Sequence, residues 1–308
     1  MEKLKISSSP HIWSKKTVSG IMLDVIIALL PAAIASILIF GYRSALVIGV
    51  CVTFAVLSEF LFQKIIKTNV LVGDLSACVT GLLLALNLPV SIPLWQAALG
   101  SVFAIVVVKG LFGGIGKNFA NPAITARIMM LIAFTGTMTA FTAPLSPDLT
   151  STATPLEALK TMGTELPSLK DMFLGIRGGS LGETCALALL IGGIYLIFRG
   201  IISWTTPVCY IGTVFVLSLI YGGMDFALYQ VLAGGLILGA FFMATDYSTT
   251  PTRPWGKVIF GVGCGIITSA IRFYGSYPEG VSFSILLMNI ITPYIDKWTR
   301  PTPIGGNK

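Results

Sequence analysis

The sequence predicts an all-α integral membrane protein: about ten transmembrane helices, as two inverted five-helix repeats with a long extracytoplasmic loop between them. Three observations lead there. Of 308 residues, 55% are hydrophobic and 11% charged, against roughly 25% charged in soluble domains, and the mean hydropathy is +0.87. Apolar runs of spanning length, about 20 residues, follow one another along the chain. Lysine and arginine gather in alternate connections between those runs, as cytoplasmic loops require. So little charge cannot cover a globular surface in water, which excludes an ordinary cytosolic enzyme and a disordered chain. The net charge of +7 therefore reads as a cytoplasmic loop excess. Membrane lipid is an expected partner and nucleic acid is not.

The runs can be taken in order. The first, Ile21 to Phe40, carries Pro31, which a membrane helix tolerates. The second runs from Ala45 to Phe62. The third, Leu75 to Leu88, is short and stops at Asn87-Leu88-Pro89. The fourth covers Leu94 to Val108, and the fifth Ala123 to Phe134, extending towards Ala140. A polar stretch from Phe141 to Gly182 follows, and then five more runs: Thr184–Phe198, Pro207–Tyr221, Phe226–Ala244, Val258–Ile271 and Val281–Ile291. With the N-terminus inside, 15 of the 20 basic residues fall on the cytoplasmic side, Arg127 among them. Arg43, Lys160, Lys170, Arg177 and Arg272 fall outside. The resulting organisation is a cytoplasmic segment at 1–20, a first half at 21–140, an extracytoplasmic loop at 141–182, a second half at 183–293 and a cytoplasmic tail at 294–308. The N-terminus has no signal-peptide core, so insertion is expected to use the spans themselves.

Five spans before the loop make the second half start on the opposite side, so homologous halves would form an inverted repeat. Asp74 precedes the third span and Asp246 follows the eighth. Glycine-bearing irregular segments, Gly110 to Pro122 and Tyr274 to Gly280, precede the fifth and tenth. Irregular backbone near membrane depth survives only when buried in protein or lining a cavity. On these features alone a solute channel or secondary transporter is the leading reading. The five cysteines lie in apolar stretches without a C-x-x-C pair, and His11 is the single histidine. No metal or catalytic constellation follows from them.

The loop contains Asp148-Leu149-Thr150-Ser151-Thr152-Ala153-Thr154-Pro155-Leu156. Thr154 has the position of a helix N-cap with Pro155 at the first helical residue. The stretch resembles the flavin-attachment motif D-x-x-(S/T)-G-A-T, with Thr152 in place of the usual glycine. Gly113 to Ala123, Met243-Ala-Thr-Asp-Tyr-Ser-Thr-Thr-Pro251 and Arg272 to Asn289 are similar to signature stretches of the same family. That family is the RnfD/NqrB group: membrane subunits of the ion-translocating ferredoxin:NAD oxidoreductase (Rnf) and of the sodium-pumping NADH:quinone oxidoreductase (Nqr). The resemblance covers nearly the whole chain, and the compact length favours the Rnf D branch.

The resemblance implies FMN joined to Thr154 by a phosphoester, with Asp148 and Ser151 belonging to the motif read by a flavin transferase. It implies an electron-transfer subunit of a multi-subunit translocase in a bacterial or archaeal cytoplasmic membrane, not an enzyme catalysing the overall reaction alone. The implied partners are two iron–sulfur membrane subunits, a ferredoxin-accepting iron–sulfur subunit, an NAD-reducing subunit and an external FMN subunit. A second, noncovalent flavin, riboflavin, is expected between the segments Gly113–Pro122 and Met243–Pro251, with Asn118 and Asn121 as hydrogen-bond partners; both asparagines could instead cap the fifth helix. Asp24 and Glu59 are the carboxylates inside apolar spans, so they are the candidates for coupling to Na+ or H+. Each lies near a predicted cytoplasmic end, where it could simply reach interfacial water.

Overall fold

A computed structural model describes residues 17–68, 70–144, 152, 154–161, 166–275 and 279–301. His11, Asp148 and Ser151 lie outside them. Among the described residues every regular element is a helix. They are α1 (Val18–Phe40), α2 (Tyr42–Ile65), α3 (Ser76–Leu86), α4 (Leu94–Val102, running on as π-helical turns over Phe103–Gly110), α5 (Pro122–Ala133) and α6 (Thr135–Met138). Then come α7 (Pro155–Thr161), α8 (Leu169–Leu174), α9 (Ala186–Phe198), α10 (Thr205–Leu232), α11 (Leu236–Leu238, continued by π-helical turns over Gly239–Met243), α12 (Pro254–Tyr274) and α13 (Val281–Trp298). Four of them, α1, α2, α10 and α12, are long and apolar enough to cross a membrane. This is a multi-pass membrane protein.

Outward side chains are large and apolar: Leu38, Phe198 and Ile220 are among the most exposed residues. Lipid, not water, is the solvent that such a surface matches. Inside, Leu29, Leu84 and Ile124 of the first half and Tyr210 and Leu236 of the second are fully buried in one core. The α1–α9 contact needs a small residue. A Cβ on Gly192 would lie 2.0 Å from the Ala28 carbonyl oxygen, so only glycine lets the two backbones approach.

Pro31 lies inside α1 without ending it. The predicted eighth span needs correction. The stretch α10 is two helices meeting at Gly223, whose φ of 83° lies in the left-handed region, and this bend falls between the predicted seventh and eighth spans. The predicted eighth span, Phe226–Ala244, is then interrupted at 233–235 and resumes as α11. Hydropathy missed this because Gly234 and Gly235 do not lower the apolar average yet disfavour helix, and Gly234 takes a φ of 65°. The third span, predicted as Leu75 to Leu88, is helical as α3 to Leu86. Its open carbonyls are met by the chain entering the second half: the Leu181 N–H donates to Leu88 O (3.0 Å) and the Gly182 N–H to Leu86 O (2.7 Å).

Candidate functional site

Three groups of polar residues stand out against the apolar interior. The first lies on the polar connection after α5. Thr154 caps α7, its Oγ1 accepting from the Glu157 N–H at 3.3 Å. The proline at the next position starts the helix with a preset φ. Leu156 packs with Met172 of α8 and Ala233 after α10, and Lys160 Nζ donates to the Gly275 carbonyl oxygen at 2.6 Å. This seven-residue helix is thus fixed to the end of the helix bundle. Thr154 is buried and Thr152 exposed.

The second group lines a cleft at the other end. Helix α12 joins the two ends: it ends beside Lys160, and Lys257, near its start, lines a cavity that shares Asp246 and Tyr247 with the cleft. Its 21 residues measure about 30 Å at 1.5 Å per residue. The cleft encloses about 200 Å³ within an empty volume of about 1090 Å³ including its mouth. Asn118, Asn121, Asp246, Tyr247, Ser76 and Lys109 line it. The two segments singled out in the sequence, Gly113–Pro122 and Met243–Pro251, therefore meet across one cavity. The asparagines differ. Asn121 caps α5, its Oδ1 accepting from the N–H groups of Ala123 (3.0 Å) and Ile124 (3.4 Å). Asn118 Oδ1 is buried without a partner. Asp246 accepts from Ser248 Oγ (3.0 Å) and Thr249 Oγ1 (3.2 Å). Burial raises its pKa, and those hydrogen bonds offset only part of the rise.

Asp74 makes the same kind of turn as Asp246, accepting from the Ser76 N–H (2.8 Å) and Oγ (2.6 Å). Ser76 in turn accepts from Lys109 Nζ, which also donates to Glu59 Oε1, both at 2.5 Å. Glu59 Oε2 has no partner. Glu59 is therefore buried in a closed ion pair with Lys109, away from the interfacial water its position in sequence had offered. Asp24 is different. Its carboxylate takes Arg199 Nη2 (3.0 Å) and the Tyr195 hydroxyl (2.9 Å), tying α1 to α9 beside a largely exposed guanidinium.

The third group is a cluster of buried charges where the interrupted helices meet. Arg127 of α5 pairs with Glu183 (3.2 Å) and Glu279, and donates to Ser282 Oγ (2.8 Å). Arg177 and Arg272 adjoin it. Charge counting assigned Arg127 to the cytoplasmic side, apart from Arg177 and Arg272; the structure places all three together. Arg127 fills a buried ion-pair site inside the bundle and carries no topological weight. Burial pushes Glu279 up to about 7, with Arg127 opposing and Glu183 reinforcing the shift, and it pushes Arg177 down to about 10. Sequence reasoning missed Lys109, Arg127, Arg177 and Arg272 as interior residues because basic residues served only as loop markers. Arg127 interrupts an apolar run and Lys109 directly follows one, and those positions were the available signal.

Residues 5–305 match the family model described as NQR2, RnfD, RnfE. The chain belongs to the NQR2, RnfD, RnfE family. Among similar members is the D subunit of the Na(+)-translocating ferredoxin:NAD(+) oxidoreductase complex of Acetobacterium woodii, 47% identical, with 99% of this chain and 96% of the relative covered. The D subunit of the proton-translocating ferredoxin:NAD(+) oxidoreductase complex of Clostridium ljungdahlii is 42% identical over 98% of this chain and 96% of its own. The D subunit of the ion-translocating oxidoreductase complex of Halorhodospira halophila is 34% identical, with 99% and 96% covered. Membership in the NQR2, RnfD, RnfE family thus extends over both halves, the connection carrying Thr154, and the cleft.

Proposed function

We propose that this chain is the electron-carrying D subunit of an Rnf-type ion-translocating ferredoxin:NAD+ oxidoreductase, with FMN on Thr154 and riboflavin in the cleft. The observation that carries the reading is the placement of Thr154. Its hydroxyl stands at the N-terminus of a helix that Leu156 and Lys160 fix to the bundle, the end of a helix that favours phosphate. Flavins accept and release one or two electrons, chemistry that no side chain supplies. The chain's own part is to hold and separate. Thr154 is the ester oxygen, and α7 fixes where it points. The cleft has the residues a second, uncharged flavin needs: apolar walls from Val25, Val79, Phe241 and Phe242, and the unpaired Asn118 Oδ1 to accept from a ring N–H. Asn121 spends its oxygen on α5, so only its amide N–H groups are free for a ligand.

Pairing α1 to α5 with α9 to α13 gives the proposed inverted repeat of ten spans, with α7 and α8 in the extracytoplasmic loop at 141–182 and both termini in the cytoplasm. In this arrangement the chain takes electrons from an external flavoprotein subunit and returns them to the NAD-reducing subunit, next to the iron–sulfur subunits. Asp24 and Glu59 are the proposed ion-coupling carboxylates. The test is co-expression with a flavin transferase and a denaturing gel. A fluorescent band that disappears in Thr154→Ala and persists in Thr154→Ser is the expected result. A dark wild-type band beside an active transferase control refutes the reading, and solute flux through the isolated protein would favour a channel or transporter.

A further inference from the structure

Near α7 the interior holds more positive than negative charge. The cluster contains three buried arginines, Arg127, Arg177 and Arg272, the buried Glu183 and the part-buried Glu279. Among the described residues, both carboxylates pair with Arg127 alone. Arg177 donates from Nη2 to the Glu183 backbone oxygen (2.5 Å), leaving Nε and Nη1 without partners among the described residues. Arg272 donates to the oxygens of Gln230 (2.6 Å to the backbone, 3.1 Å to the side chain) and to Ala233 O (3.1 Å), and its Nε has no partner among the described residues. Arg177 is 4% exposed and Arg272 2%. A buried cation without a counterion is costly, and guanidinium N–H groups are suited to phosphate and other planar anions.

The chain shows where an anion would come from. A Cβ on Gly234 would lie 3.0 Å from Arg272 Nη2 and 2.7 Å from Leu156 Cδ1, so Arg272 and Leu156 face each other across a bare glycine. Leu156 is two residues beyond Thr154. We propose that Arg177 and Arg272 form the electrostatic seat of the anionic group carried on Thr154, holding its phosphodiester and favouring the negative charge that reduction places on the flavin. This rests on the flavin reading above. The two arginines are positioning residues: they set how easily the carrier is reduced, and they exchange neither electrons nor protons with it.

The experiment is a potentiometric titration of covalent flavin in purified, transferase-matured protein at pH 8, beside in-gel fluorescence. Arg177→Gln and Arg272→Gln should each lower the reduced-to-oxidised ratio at a fixed potential at least tenfold, about 30 mV for a two-electron couple. The Arg→Lys variants should recover much of that loss. Arg43, which donates to the carbonyls of Val90 and Ser91 and shares none of the cluster's hydrogen-bond partners, supplies the control; Arg43→Gln should titrate as wild type. Glu279→Gln, nearly isosteric, should move the ratio the other way by a similar factor, and it decides the matter if the arginine variants do not fold. Fluorescent variants with ratios within twofold of wild type overturn the seat and leave the flavin reading standing. A wild-type protein without fluorescence overturns the flavin reading itself.

Discussion

Replacing Lys109 by methionine should destabilise the protein far more than its place at the end of an apolar run implies. Its Nζ lies 2.5 Å from Glu59 Oε1 and 2.5 Å from Ser76 Oγ, with both members of the ion pair buried. Breaking a buried pair from one side costs about 3–5 kcal/mol, because the remaining charge keeps its desolvation penalty and loses its partner. Lys109→Met strands Glu59, whose Oε2 is already unpaired, so the upper part of that range applies. Glu59→Gln strands the lysine, but Ser76 still accepts from it, so the lower part applies. Removing both charges at once should return most of the loss, leaving the double variant within about 1–2 kcal/mol of wild type. The assay is thermal unfolding in detergent of all four proteins. At roughly 2–4 °C per kcal/mol for a domain of 150–250 residues, each single variant should lose on the order of 10 °C. Single variants within about 2 °C of wild type, or a double variant whose loss is the sum of the two, would refute the closed pair.

Other predictions follow from the same contacts. Asn118→Leu should leave the melting temperature within about 2 °C of wild type, because the acceptor it removes has no partner; flavin released on denaturation should fall by the noncovalent share only. Glu279 sits above the ordinary glutamate value, at about 7. The unfolded chain therefore loses this proton first, and stability falls as pH rises from about 4.5 to 7, by at most about 1.4 kcal/mol per pH unit. Melting curves at pH 5, 6 and 7 should show that slope in wild type and a flatter one in Glu279→Gln. Gly192→Ala places a methyl group against the Ala28 carbonyl. It should cost about 1–3 kcal/mol, with cysteine crosslinking between α1 and α9 reading the separation.

How far the sequence foretells the structure depends on which physical rule is at work. Composition and run length identify α1, α2 and α12 nearly to their ends, because long apolar helices answer to one solvent. The end of α3 at Asn87-Leu88-Pro89 and the capping of α7 by Thr154 are local chemistry and were equally legible. The path from Phe226 to Met243 was not. Hydropathy is blind to backbone torsion, so the break at 233–235 looked like part of one ordinary span. At the site, the two segments flanking the cleft could be singled out by their glycines and asparagines. The arginine cluster could not, since its members are spread from residue 127 to residue 272 and become neighbours only through packing.

The hydrogen bonds from Leu181 and Gly182 to the end of α3 bear on how the protein is made. Until the ribosome has delivered residue 182, the carbonyls of Leu86 and Leu88 lack these two donors, and bare carbonyls in hydrocarbon cost several kcal/mol each. The first five helices made alone are therefore an unfinished object, held by the insertion machinery or by water until the later portion arrives. A gene cut between the halves should yield two fragments that mature only when produced together.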